Sequence, residues 1–297
     1  MKFLSLTAVA VAATLAFTTS ALSATVNTVA NTIFIVDESG SMAGEQSWLR
    51  TTVVAALDQG LADEGVTTRT YGVLGFGARD GHSGVGSDPH VHTAGGGGQF
   101  DLMDATNTQT AMSQFVASGG TEDGWEAIAY ALNNYNFDSG AAINIVLVTD
   151  EDRDNTSSDT FASVLALLKE KNAILNVVVN NPFGCSEGAA LGRTTTEGFR
   201  VDGQGGYTTC SGPTTGNGDD NTETDYVPMA LQTGGAAWNL NVLRSGGNNA
   251  LSFTDAFVDI KVREITTRPV DPVPLPTPAL LLLAGLGGFA ALRRKPA

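Results

Sequence analysis

Four apolar residues, Ile33-Phe34-Ile35-Val36, run straight into Asp37-Glu38-Ser39-Gly40-Ser41. An unbroken, largely β-branched run with no polar alternation suits a strand covered on both faces, which belongs at the centre of a parallel sheet. In open α/β sheets ligands bind in the crevice at the carboxyl ends of such strands. Asp37, Ser39 and Ser41 alternate with Glu38 and Gly40, so a tight loop can turn one carboxylate and two hydroxyls toward one point, and Gly40 permits close backbone approach. These oxygens suit a hard divalent cation. Mg²⁺ takes six oxygens at about 2.0–2.1 Å and keeps several waters, so further ligands must come from later in the chain.

Two later stretches offer them. Gly119-Gly120-Thr121-Glu122-Asp123 opens an apolar-periodic helix, and Ile143 to Val148 is a second apolar strand, ending in Thr149-Asp150. D-x-S-x-S after a strand, G-G-T before a helix and a strand ending T-D, in this order over residues 30–265, resemble the von Willebrand factor type A domain. The resemblance implies a metal-ion-dependent adhesion site. Ser39, Ser41 and Thr121 would touch the metal directly, and Asp37 and Asp150 would bind it directly or through water. The family's usual Thr-Asp-Gly is replaced by Thr149-Asp150-Glu151-Asp152-Arg153-Asp154, which makes the rim more acidic. Mg²⁺ is the cation expected, with Mn²⁺ and Ca²⁺ as alternatives.

The fold expected is a doubly wound α/β domain over residues 30–268, with a mostly parallel sheet and helices on both faces, because strand and helix patterns alternate throughout. Helices are expected over 43–64, 107–117, 121–135, 159–171 and 253–265. Strands are expected over 70–77, 143–148, 174–179 and 236–243, with a short edge strand over 100–103. Two Gly-rich insertions, at about 78–99 and 180–235, break the pattern. The first holds His82, His90 and His92, all three histidines of the chain. H-x-H spacing with Asp80 and Asp88 nearby could hold Zn²⁺, but a solvated loop whose histidines share no target is the favoured reading. The second holds Cys185 and Cys210, the only cysteines.

Both ends read as address labels. A short apolar run from Leu4 to Phe17 followed by Ala21-Leu22-Ser23-Ala24 has the form of a secretory signal over residues 1–23. After a Pro-rich linker at 269–278, Val273-Pro274-Leu275-Pro276-Thr277-Pro278, the apolar run Ala279 to Leu292 and Arg293-Arg294-Lys295 resemble a PEP-CTERM sorting tail of the VPLPA-like kind, spanning 273–297. That resemblance implies an exosortase-type processing enzyme, transient membrane contact, and a final place on the surface or in the extracellular matrix of a Gram-negative bacterium. In an exported chain a single cysteine pair means one disulfide.

Four of the 16 lysines and arginines lie in the two end segments, which leaves 12 against 31 acidic residues in the core and makes nucleic acid an unsuitable partner. Hydrolase and nucleotide readings are not favoured. Ser39, preceded at the second position by Asp37, and Gly81-His82-Ser83-Gly84-Val85 both miss the G-x-S-x-G elbow, there is no G-x-x-x-x-G-K-[ST] loop, and Asn155 and Phe161 stand where a Ca²⁺ loop from Asp150 needs Gly and Glu. The expectation is therefore a non-enzymatic, cation-dependent adhesion or ligand-binding protein that captures an extracellular protein or polysaccharide through an acidic group. The alternative is a structural surface or matrix protein in which metal only stabilises the fold.

Overall fold

The computed structural model describes residues 27–78, 82, 86–218 and 221–268. The secretory signal, the sorting tail and Asp80 lie outside the described residues. The chain runs β1 (Val29–Asp37), α1 (Ala43–Trp48), a π-helical turn (Leu49–Val53), α2 (Val54–Asp63), β2 (Thr68–Phe76), β3 (His90–Val91), α3 (Ala105–Met112), α4 (Gly124–Asn134), β4 (Ala142–Val148), α5 (Phe161–Glu170) and β5 (Ile174–Val179). Then follow six short strands, β6 (Phe183–Cys185), β7 (Gly188–Ala190), β8 (Gly192–Arg193), β9 (Gly198–Val201), β10 (Tyr207–Cys210) and β11 (Thr214–Thr215). The chain closes with α6 (Thr222–Asp225), α7 (Val227–Gln232), β12 (Ala237–Asn239), α8 (Leu240–Arg244) and α9 (Gly247–Thr267).

The apolar strand β1 lies in the interior of the sheet, third from its β3 edge. β1 pairs in parallel with β2 on one side and β4 on the other. The main sheet runs β10-β9-β8-β12-β5-β4-β1-β2-β3. Its middle, from β3 to β12, has the order of a doubly wound fold, which reverses direction between β1 and β4 and opens a crevice there. The expected doubly wound α/β architecture, with a mostly parallel central sheet, is what the chain adopts.

β1 is apolar without alternation because both its faces are covered. Phe34 and Val36 join Leu57, Leu61, Phe253 and Phe257 on the side of α2 and α9. Ile33 and Ile35 join Ile128, Leu132, Val164 and Leu168 on the side of α4 and α5. Trp238 anchors the first layer, stacked on Phe199 at 5.4 Å and edge-on to Phe257 at 5.4 Å, with its Nε1 donating to Asn176 Oδ1.

Several local expectations change. The strand expected over 236–243 stops at Asn239, because the Asn239 side chain accepts from Asn241 N and caps α8. Apolar Leu240 and Leu243 are then buried from a helix rather than a strand. The helix expected over 43–64 is interrupted by the π turn, and the one over 107–117 is α3, which begins two residues earlier at Ala105, capped by Asp104 accepting from Asn107 N, and ends at Met112. Of 100–103, only Met103 bridges to β2, through Tyr71, and the sheet edge is instead β3, drawn from the first insertion.

The second insertion is built rather than loose. β8, β9 and β10 extend the main sheet, and β11-β6-β7 form a small second sheet. Cys185 and Cys210 are disulfide-bonded, joining β6 to β10 and so tying one sheet to the other. Among the described residues no helix is long and apolar enough to cross a membrane.

Candidate metal centre

At the carboxyl end of β1 the chain turns sharply, and Asp37 closes the turn by accepting from Ser39 N at 2.7 Å. This Asx-type turn swings Ser39 back beside its own carboxylate. Ser39 Oγ lies 3.3 Å from Ser41 Oγ, and Ser41 Oγ donates to Asp150 Oδ1 at 3.0 Å. Asp150 stands just past the end of β4, adjacent to β1 in register, so the sheet itself brings the two motifs together. Four of the five expected residues, Asp37, Ser39, Ser41 and Asp150, are thus joined in one hydrogen-bonded series, first through the Ser39 backbone N–H and then between side-chain oxygens. Thr121 stands apart from it. It lies in the loop ahead of α4, and its hydroxyl donates to Gly120 O at 2.8 Å.

Three further side chains shape the centre. Thr149 Oγ1 donates to Asp37 Oδ2 at 2.8 Å, so both oxygens of the buried carboxylate are oriented. Glu122 is fully buried, and neither carboxylate oxygen has a hydrogen-bond partner. Gly77 separates Glu122 from Asp37. It has φ +79°, which glycine tolerates best, and a Cβ there would stand 3.1 Å from both Asp37 Oδ1 and Glu122 Cγ and crowd the two acids. Arg244, from α8, reaches in from the opposite side, donating to Asp150 Oδ2 at 2.8 Å and to Glu45 Oε1 at 2.6 Å.

The electrostatics follow from burial. Removal from water raises the Asp37 carboxyl from 3.8 to about 7, with Asp150 adding to the rise and the bonds from Ser39 and Thr149 restraining it. Burial, reinforced by Asp37, raises Glu122 to about 9. Two acids whose ionised forms are disfavoured by burial, one with carboxylate oxygens that lack hydrogen-bond partners, are groups whose charge a cation would stabilise. The donors are carboxylates and hydroxyls without nitrogen or sulfur, which fits a hard divalent ion and not a thiolate or imidazole metal. Asp37, Ser39, Ser41 and Asp150 would hold such an ion, with Glu122 and Thr121 on its margins.

The sequence singled out neither Glu122 nor Arg244 for this site. Glu122 sits inside the quoted G-G-T-E-D stretch, where an acid before an N-cap reads as helix-end charge. Arg244 arrives from far along the chain, and no motif links α8 to β1.

No family model matches the chain, and no curated protein is similar enough to count as a relative. Among solved structures the chain is similar to proximal thread matrix protein 1 from the mussel byssus, at 12% identity and TM-score 0.36, over 52% of this chain and 36% of that one. A form of that protein with a zinc-occupied MIDAS motif gives 13% identity and TM-score 0.37, with 52% and 36% covered. The chain therefore spans only 36% of the length of the mussel protein. An aerotolerance-related membrane protein from Bacteroides fragilis NCTC 9343, bearing multiple mutations to serines, is similar at 11% identity and TM-score 0.41, over 79% of this chain and 99% of that one.

Proposed function

We propose that this chain is an exported, non-enzymatic binding protein that captures an acidic group of an extracellular protein or polysaccharide through a divalent cation, Mg²⁺ first among the candidates. The observation that carries the reading is the hydrogen-bonded convergence of Asp37, Ser39, Ser41 and Asp150 at the crevice between β1 and β4, the first link through the Ser39 backbone N–H and the others between side-chain oxygens. A cation held by Asp37, Ser39, Ser41 and Asp150 would supply a Lewis-acidic contact for an outside carboxylate. Beside Ser41 a cleft of about 500 Å³, lined by Glu45, Trp48, Leu243 and Arg244, offers a partner both apolar surface and a guanidinium for a second acidic group.

Export is supported by the amino-terminal apolar run and by the disulfide, which suits an oxidising compartment. Transient anchoring and exosortase-type processing rest on the carboxyl-terminal segment 273–297. The structural alternative has one observation in its favour. Arg244 already neutralises part of Asp150, so the loops can hold together without capturing anything.

Chelation separates the two readings. Immobilised protein incubated with extracellular material of its host should retain acidic partners in Mg²⁺ and release them in chelator. Retention unchanged by chelator, accompanied only by a lower melting temperature, would replace adhesion with the structural role.

A further inference from the structure

The first insertion does something the sequence reading did not favour: its three histidines share a target. That target is Glu38, the residue after Asp37, whose side chain leaves β1 on the other side of the strand tip. Glu38 is fully buried. His82 Nε2 lies 3.1 Å from Glu38 Oε1, and His90 Nε2 and His92 Nε2 lie 2.7 and 3.3 Å from Oε2. The four ligand atoms fall within 4.8 Å of one another. The rings stand 4.6 to 5.1 Å apart at mutual tilts of 57 to 69°, a propeller with every Nε2 turned inward.

Hydrogen bonding alone leaves this cluster unresolved. His90 Nδ1 is 2.9 Å from Asp88 O, which can only accept, so Nδ1 carries the proton. In neutral His90 the Nε2 is then a lone pair, and it has no hydrogen-bond partner despite its closeness to Glu38. A metal-ligating histidine commonly donates its other ring N–H to a backbone carbonyl in this way. The carboxylate is supported too, since Oε1 accepts from Val116 N at 2.8 Å.

The backbone makes room for the cluster. A Cβ on Gly75 would fall 1.9 Å from Glu38 Oε2 and 2.8 Å from His92 Nε2. His92 is further fixed by its backbone N–H on Val73 O at 3.0 Å and by the edge of Phe115 at 5.1 Å. Four ligands at tetrahedral angles and about 2.0–2.1 Å from Zn²⁺ lie roughly 3.3 Å from each other. The His82 and His92 distances to Glu38 are close to that spacing.

We infer that Glu38, His82, His90 and His92 form a second metal site, a closed three-histidine, one-carboxylate site for Zn²⁺ or a similar imidazole-loving ion, distinct in donors from the oxygen site at Asp37. Four protein ligands leave no open position, which marks a structural rather than a catalytic centre. Its effect is to pin the Gly-rich insertion to the tip of β1, next to the loop that carries Ser39 and Ser41. Imidazole-rich donors against all-oxygen donors give the two sites opposite preferences, so each takes its own ion from a mixture.

The test uses the full chain stripped by chelator and titrated with Co²⁺ alone, as wild type and as Asp37→Ala. Both should develop the intense visible absorption of tetrahedral Co²⁺ at one ion per chain, and Zn²⁺ should displace it. In competition titrations Glu38→Gln and His90→Ala should each weaken Zn²⁺ more than about 100-fold, beyond the 10- to 100-fold typical of groups that only support a ligand. Should either variant fail to fold, the wild-type spectrum still decides. Only the weak absorption of octahedral Co²⁺ in wild type, loss of the intense band in Asp37→Ala, or Zn²⁺ affinity within about threefold of wild type in folded His90→Ala would each overturn the proposal.

Discussion

Asp37→Asn should change how the metal-free protein responds to pH. In the fold, burial lifts the Asp37 carboxyl from 3.8 to about 7. A carboxyl with a higher pKa folded than unfolded makes the native state bind the extra proton. Its contribution to stability is therefore full below about pH 4 and is lost as pH rises toward 7. Stability should therefore fall by roughly 2–3 kcal/mol between pH 5 and pH 8 through this residue. Asparagine keeps an oxygen for Ser39 N and cannot ionise, so the slope should flatten by that amount. Glu122, raised in the same direction by burial and by Asp37, is eased when the Asp37 charge goes, which widens the difference. Urea denaturation in chelator at pH 5, 6, 7 and 8 reads the slopes directly. Saturating Mg²⁺ should restore wild-type stability at pH 8, because binding to the native state takes the place of the lost proton, and should do nothing for the variant. Parallel slopes for wild type and Asp37→Asn in chelator would refute the claim that Asp37 is strained by burial.

Other consequences can be checked separately. Arg244→Ala removes the guanidinium from Asp150 Oδ2 and should tighten Mg²⁺ roughly fivefold by calorimetry, corresponding to about 1 kcal/mol for a half-exposed pair. Trp238→Ala empties the aromatic centre formed with Phe199, Phe253 and Phe257 and should cost about 3–5 kcal/mol in denaturant titrations, with metal affinity preserved in the folded fraction. Replacing Cys185 and Cys210 together by Ser opens a loop of sequence separation 25 and should cost about 3 kcal/mol on the chain-entropy account, seen as a lower denaturation midpoint.

The parts of this fold that could be read from sequence were those in which a local signal and the global architecture coincide. Ile33 to Val36 could only be a doubly covered strand, and its end had to be a crevice, so Asp37, Ser39 and Ser41 followed. What escaped was decided by one side chain overriding a pattern. Ala236 to Leu243 reads as a strand until Asn239 caps a helix, which exchanges alternate burial for helical burial of the same leucines. The histidine insertion escaped for a different reason. Its glycines suggest a solvated loop, whereas the convergence depends on Gly75 leaving space within β2 for a carboxylate that belongs to β1. Neither Glu38 nor Arg244 carries a motif. Each acquires its role only when β1, β2 and α8 are placed side by side.

The central claim is that the oxygens gathered at the tip of β1 bind a divalent cation independently of the fold that holds them. The most direct measurement is Mg²⁺ calorimetry on wild type and Asp37→Ala, with circular dichroism on the same samples. The account expects one Mg²⁺ per chain at this site in wild type, no measurable heat in Asp37→Ala, a smaller loss in Thr121→Ala, and superimposable spectra, because trimming Asp37 leaves the apolar contacts of Ile33, Phe34, Ile35 and Val36 in place. Wild-type Mg²⁺ affinity in a folded Asp37→Ala protein would contradict it.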